Sequence, residues 1–219
     1  AFPTNGNDDM MGLQLGSTQA IADGIKITSR TGNIVLTGSN SRENIGQNSN
    51  AVQFIAANTT NSIRVGYDGT NAYSGNITIE GNSIIQNNVN AGSGSIAVQT
   101  TGNLTIQPKG NTFTYLRAGG GTLTFDDDWN FGTTLGSFTF GKSTNTANLI
   151  LSSPRTTSGA FTIYAGNITV QQNLTTTNAN ANILLQATGS IGIEANITAT
   201  AAANITLNST LHFNTSNTR

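Results

Sequence analysis

No cysteine occurs in this chain, which excludes disulfides and thiol chemistry but decides no compartment. Proline is nearly absent, with three residues, and only 9% of residues are charged. Disordered segments are normally charged or proline-rich, so this is the composition of a folded chain. The formal net charge is −1. Phosphate binding needs a basic face, so this charge argues against nucleic acid as a partner. No apolar run approaches the ~20 residues of a membrane-spanning helix, and no membrane span is expected. No signal-peptide pattern is read in these residues, and Ala1-Phe2-Pro3 is expected to be a freshly cut mature end. Helix formers are scarce, and apolar residues never keep helical spacing beyond two turns.

What fills the chain instead is asparagine, threonine and glycine, which number 30, 35 and 25 and make 90 of 219 residues. They are arranged in a phrase that recurs from Gly159 to Phe213: a small residue, usually Asn or Ser, then apolar, usually polar, apolar. Examples begin at Gly159, Gly166, Ala181, Gly189, Ala195 and Ala203. Each is a short strand of period two opened by a turn residue. The first apolar residues, Ile183, Ile191, Ile197, Ile205 and Leu211, are spaced by 8, 6, 8 and 6. Three phrases therefore cover about 22 residues. This predicts an all-β fold, a right-handed parallel β-helix (β-solenoid) with three short strands per coil of about 21–23 residues. On the order of ten coils would make a rod of roughly 45–50 Å. Ile, Leu, Val and Phe point inward. Gly and Asn take the corners, where Asn can form ladders along the rod, and Thr faces out.

The chain reads as one domain over 1–219: a lead-in or cap over 1–23, coils over 24–213, and a tail over 214–219. Loops are expected near 37–50 and 108–135, and Val52 to Ala57 reads as a strand or a short helical turn. The middle is rich in phenylalanine, with Phe113, Phe125, Phe131, Phe138 and Phe140.

Few residues suggest chemistry. Asp126, Asp127 and Asp128 form the only acidic run. Three carboxylates offer a candidate Ca²⁺ site, but they lack the alternating spacing and glycine of a calcium loop, which favours a solvated turn. Glycosidase work needs two carboxylates across a groove, and the other acids are too sparse to supply a pair. No catalytic residue and no cofactor is predicted. Trp129 beside the run is a candidate sugar-stacking residue or a packing residue. His212, the single histidine, has no nucleophile or metal partner nearby and reads as a surface residue. Nine Asn-x-Ser/Thr sequons, at Asn58, Asn76, Asn103, Asn167, Asn173, Asn196, Asn204, Asn208 and Asn214, coincide mostly with the corner of the phrase. They read as ladder residues.

Between Gly166 and Leu207 the phrases resemble the repeat region of filamentous-haemagglutinin-type exoproteins. That resemblance implies a right-handed parallel β-helix and a bacterial surface or secreted adhesin. The function expected is a structural or adhesive fibre at the bacterial outer surface or outside the cell, with host-surface or matrix glycans as partners, and not an enzyme. The strand phrase reaches Phe213 with only six residues after it. A homo-oligomer or head-to-tail filament, or membership of a longer chain, is expected on that ground. The alternative is an ice-binding solenoid. Thr-x-Thr occurs at Thr122/Thr124, Thr144/Thr146, Thr175/Thr177 and Thr198/Thr200, two steps of which are 22 and 23 residues. A flat, unbroken file of these on one face would favour it.

Overall fold

The computed structural model describes residues 12–16, 24–39, 51–56, 62–88, 95–116, 122–126, 129–200, 202–210 and 212–215. Among these the chain is all-β and contains no helix. Its strands are two to six residues long, and every ladder between them is parallel. The one antiparallel contact among described residues is the isolated bridge Tyr67↔Ala72.

The strands fall into five sheets. The longest has seven strands in chain order: Ile34–Thr37, Ile77–Glu80, Asn103–Gln107, Ser137–Phe140, Ala160–Ala165, Ile183–Ala187 and Ile205–Ser209. Between successive visits to this long sheet the chain passes through two others in a fixed order, except between Gln107 and Ser137, where it passes through three. In the N-terminal part these are the four-stranded sheet containing Leu13–Gly16 and Val52–Ala56, then the one containing Ile25–Ile27 and Ile63–Val65. In the C-terminal part they are a five-stranded sheet, Thr122–Phe125 to His212–Thr215, and a three-stranded sheet, Arg155–Thr157, Leu174–Thr176 and Ile197–Ala199. Each visit to the long sheet thus closes one circuit.

The alternation of the phrase explains the core. Along the long sheet Ile34, Ile77, Leu104, Phe138, Phe161 and Ile183 pair in register and are at most 9% exposed. The file two residues on, Leu36, Ile79, Ile106, Phe140, Ile163 and Leu185, is buried as well. Ile205 continues the first file beside Ile183, yet it is 43% exposed, because its strand is the outermost of the sheet. Aromatic residues gather in the middle. Phe138 stacks on Phe161 with ring centroids 4.7 Å apart, and Phe125 meets Phe131, Phe138, Phe140 and Trp129 edge-on.

The corners obey the second half of the phrase. Gly75, Gly102, Gly136 and Gly159 open their strands where a Cβ would strike the backbone carbonyl of the preceding rung. The small residue is therefore demanded by close stacking. Next to it runs the expected asparagine ladder. Asn33 Oδ1 accepts from Asn76 N at 3.0 Å, and Asn76 Oδ1 from Asn103 N at 2.9 Å. Ser137 Oγ donates to Asn103 Oδ1 at 2.8 Å, and Asn204 N to Asn182 Oδ1 at 2.8 Å. A second ladder joins Asn148, Asn167 and Ser190, and a third joins Asn173 to Asn196. All but the Ser137 bond give a partner to a corner N–H that strand pairing leaves over.

The structure departs from the sequence reading in three places. Steps along the long sheet are 23, 22 and 22 residues from Phe138 onward, but 43, 27 and 34 before it. The 21–23 residue repeat holds only in the C-terminal part, since insertions such as the Gly66–Tyr73 turn lengthen the earlier circuits. Seven strands in the longest sheet, not ten, follow from that. The segment 108–135, expected as a loop, holds the strands Tyr115–Leu116, Thr122–Phe125 and Trp129–Asn130. Burying its aromatic side chains draws it into the core. Val52–Ala56 is a strand. Of the other expected loop, 40–50 lies outside the described residues, as do most of 1–23 and 216–219.

Candidate functional site

The regular circuits are interrupted once, between Tyr115 and Thr157. The four-stranded sheet that begins at Leu13 ends with Tyr115–Leu116, and the five-stranded sheet starts at Thr122. Likewise the sheet of Ile25, Ile63 and Ile96 ends with Trp129–Asn130, and the three-stranded sheet starts at Arg155. Only the long sheet runs through this changeover. A cleft of 340 Å³ lies there, lined among others by Asn130, Phe131, Thr133, Ser153, Pro154 and Arg155.

Arg155 closes the gap where strand pairing is missing. It occupies an inward register position beside Leu174, which in turn pairs with Ile197, and it is 8% exposed. A buried guanidinium is tolerated only when it is hydrogen-bonded. Here Nη1 donates to the Trp129 carbonyl and Nη2 to the Asp126 carbonyl, each at 2.6 Å. The cation also sits 5.0 Å from the Phe131 ring centre. Sequence reasoning missed Arg155, because Arg-Thr-Thr carries no apolar alternation to mark a strand. Asn145 was missed for a similar reason. Fully buried, its Oδ1 accepts from Thr112 Oγ1, Phe113 N and Ala147 N, and its Nδ2 donates to the Tyr164 carbonyl.

Trp129 is 1% exposed and packs edge-on to Phe54 at 5.1 Å and Phe125 at 5.5 Å. At this burial it is a packing residue of the aromatic cluster, and it borders the cleft. Of the acidic run, Asp126 contributes its carbonyl to Arg155 and Trp129, while Asp127 and Asp128 lie outside the described residues. Among described residues no group of three or more His, Cys, Asp or Glu is placed to hold a metal. His212 lies in the last strand of the five-stranded sheet.

The structure separates the threonine pairs proposed from spacing. Thr122 and Thr124 lie on the five-stranded sheet, where Thr124 pairs with Ile150. Thr144 and Thr146 occupy a turn, bonded to the Asn111 carbonyl and to Thr112. Thr175, Thr177, Thr198 and Thr200 do come together. Thr156, Thr175 and Thr198 pair in one outward file of the three-stranded sheet. Two residues on, just past the strand ends, Ser158, Thr177 and Thr200 follow at the corner, with Asn178 N bonded to the Ser158 carbonyl and Thr200 N to the Thr176 carbonyl. Spacing did not reveal another file, Thr78–Thr105–Thr139–Thr162, on the outer side of the long sheet. It is flanked by Val35 at one end and Leu184 at the other.

One turn carries a perturbed acid. Asp68 Oδ1 accepts from Thr70 N and Asn71 N, both at 2.8 Å, and Oδ2 accepts from Tyr73 Oη at 2.8 Å. The backbone bonds from Asn71 and Thr70, then the Tyr73 hydroxyl, lower its pKa from 3.8 to about 2. The same bond pushes the Tyr73 phenol up. This arrangement fixes a turn and shows no reacting group beside it.

Compared with known proteins, the chain matches no family model, no curated protein and no solved structure. The resemblance to filamentous-haemagglutinin-type repeats rests on the phrase alone. No helix among the described residues is long and apolar enough to cross a membrane.

Proposed function

We propose that the chain winds as a right-handed parallel β-solenoid and serves as a structural or adhesive rod outside the cell or on a bacterial surface. In this reading the N-terminal and C-terminal sheets continue the same two walls, offset at the changeover, and the long sheet forms the third. Right-handedness follows from the near-universal hand of parallel β crossover connections, since every circuit is such a connection. The observation that carries the rod is the long sheet, with seven parallel strands in one register and ladders of corner asparagine beside it. Its outer surface is polar and nearly free of charge, which suits a stalk exposed to solvent and to neutral surface glycans. Further copies along the rod axis are the other partners proposed.

Two measurements test this. Small-angle scattering should give an elongated particle whose seven strands alone extend roughly 30 Å at ~4.8 Å per step. Beads coated with the folded chain should adhere to glycan- or matrix-coated surfaces more than beads coated with heat-unfolded chain. A spherical particle would overturn the rod, and equal adhesion would overturn the adhesive role.

A further inference from the structure

The three-stranded sheet carries more than a structural wall requires. Its outward positions Thr156, Thr175 and Thr198 form one paired file, and just past the strand ends Ser158, Thr177 and Thr200 follow as a second row. Rungs of a parallel sheet lie ~4.8 Å apart. The result is a two-dimensional grid of hydroxyl groups, five of the six on threonine and so paired with a methyl group. We propose that this grid is an ice-binding surface.

Three observations select ordered water over other ligands. From residue 156 to 200 the only charged side chain is Glu194, so a charged ligand has no counter-charge there. Secondly, part of the grid is held before any ligand arrives. Thr200 Oγ1 donates to the Thr176 carbonyl at 2.7 Å, Ser158 Oγ to the Leu135 carbonyl at 2.8 Å, and Thr177 Oγ1 to the Thr157 carbonyl at 3.4 Å. Rotamers fixed in the free protein reduce the entropy lost on binding. Thirdly, Thr156, Thr177, Thr198 and Thr200 are exposed and Thr175 half-exposed, so the grid is open along its length. A repeating grid of hydroxyl and methyl groups at fixed spacing matches a repeating ligand, and methyl-caged water bonded to hydroxyls is the start of such a lattice. The single file on the long sheet lacks this second dimension: beside it stand Glu80, Gln107 and Tyr164.

This inference rests on strand register and is independent of the rod's adhesive role. The test is nanolitre osmometry and ice-recrystallisation inhibition on the full chain. A thermal-hysteresis gap with faceted ice is expected. Thr175→Lys should abolish it, Thr175→Val should reduce it, and Thr105→Lys on the long sheet should leave it unchanged, with circular dichroism confirming that each variant folds. If Thr175→Lys fails to fold, Thr198→Val takes its place and should reduce the gap. A folded wild-type chain without hysteresis or inhibition overturns the proposal. So does an equal loss from Thr105→Lys. Adsorption to crystalline chitin or cellulose without ice activity also overturns it, and assigns the grid to polysaccharide.

Discussion

Replacing Phe138 by alanine tests the core where the circuits change over. Phe138 is fully buried, pairs in register with Leu104 and Phe161, and stacks on the Phe161 ring at 4.7 Å. It also meets Phe131 at 5.1 Å and Phe125 at 6.0 Å. A buried Phe→Ala change costs about 3–5 kcal/mol, from lost transfer energy and the cavity left behind. The upper half of that range is expected, because three rings lose a neighbour and strands on either side limit collapse into the void. For a domain of this size the melting temperature should fall by roughly 8–20 °C. The single tryptophan, Trp129, lies 5.7 Å from Phe131 in the same cluster. Its fluorescence through a urea titration therefore reports unfolding of this region. The control is Thr139→Ala on the same strand, half-exposed, for which a change within about 0.5 kcal/mol is expected. A Phe138→Ala midpoint equal to wild type, or an equal loss from Thr139→Ala, would refute the assignment of faces.

Three further outcomes follow from the same geometry. Ile191 is fully buried and Ile205 is 43% exposed, so Ile191→Asp should cost about 3 kcal/mol or more while Ile205→Asp costs much less; comparable urea midpoints for the two would contradict the burial. Ala202 holds a left-handed φ of 66° that equivalent Asn180 also adopts at 62°, so Ala202→Gly should stabilise the chain by about 1 kcal/mol, and a loss of stability on denaturation would count against that strain. Asp68 has its pKa depressed to about 2 from 3.8, so its contribution to the 66–73 turn is present above pH 4 and lost as pH falls toward 2; the protection of the Thr70 and Asn71 amides, measured relative to their intrinsic exchange rates at each pH, should fall across that window in wild type and be low throughout in Asp68→Asn, and constant protection in wild type would exclude the linkage.

Much of this architecture was legible in the residues themselves. Short alternating phrases such as Ala181-Asn-Ile-Leu-Leu determine a strand with one apolar side, because period two places Ile183 and Leu185 together and Leu184 opposite. The leading Gly and the Asn beside it determine the corner, because only a small residue fits against the carbonyl below and only a short amide reaches the next N–H. Local chemistry of that kind needs no partner to be known in advance. What the text left open is which phrase lies beside which. Gly102-Asn-Leu-Thr-Ile and Gly166-Asn-Ile-Thr-Val are nearly the same words, yet the first joins the long sheet and the second the five-stranded one. Pairing is decided by the lengths of the intervening excursions and by the aromatic cluster that absorbs 113–140, both non-local terms. For that reason spacing scattered the threonine pairs, and only tertiary register gathered Thr175 and Thr198 beside Thr156. Arg155 is the clearest instance: a charged residue in a polar stretch becomes a core position solely because two carbonyls from another circuit stand ready to bond it.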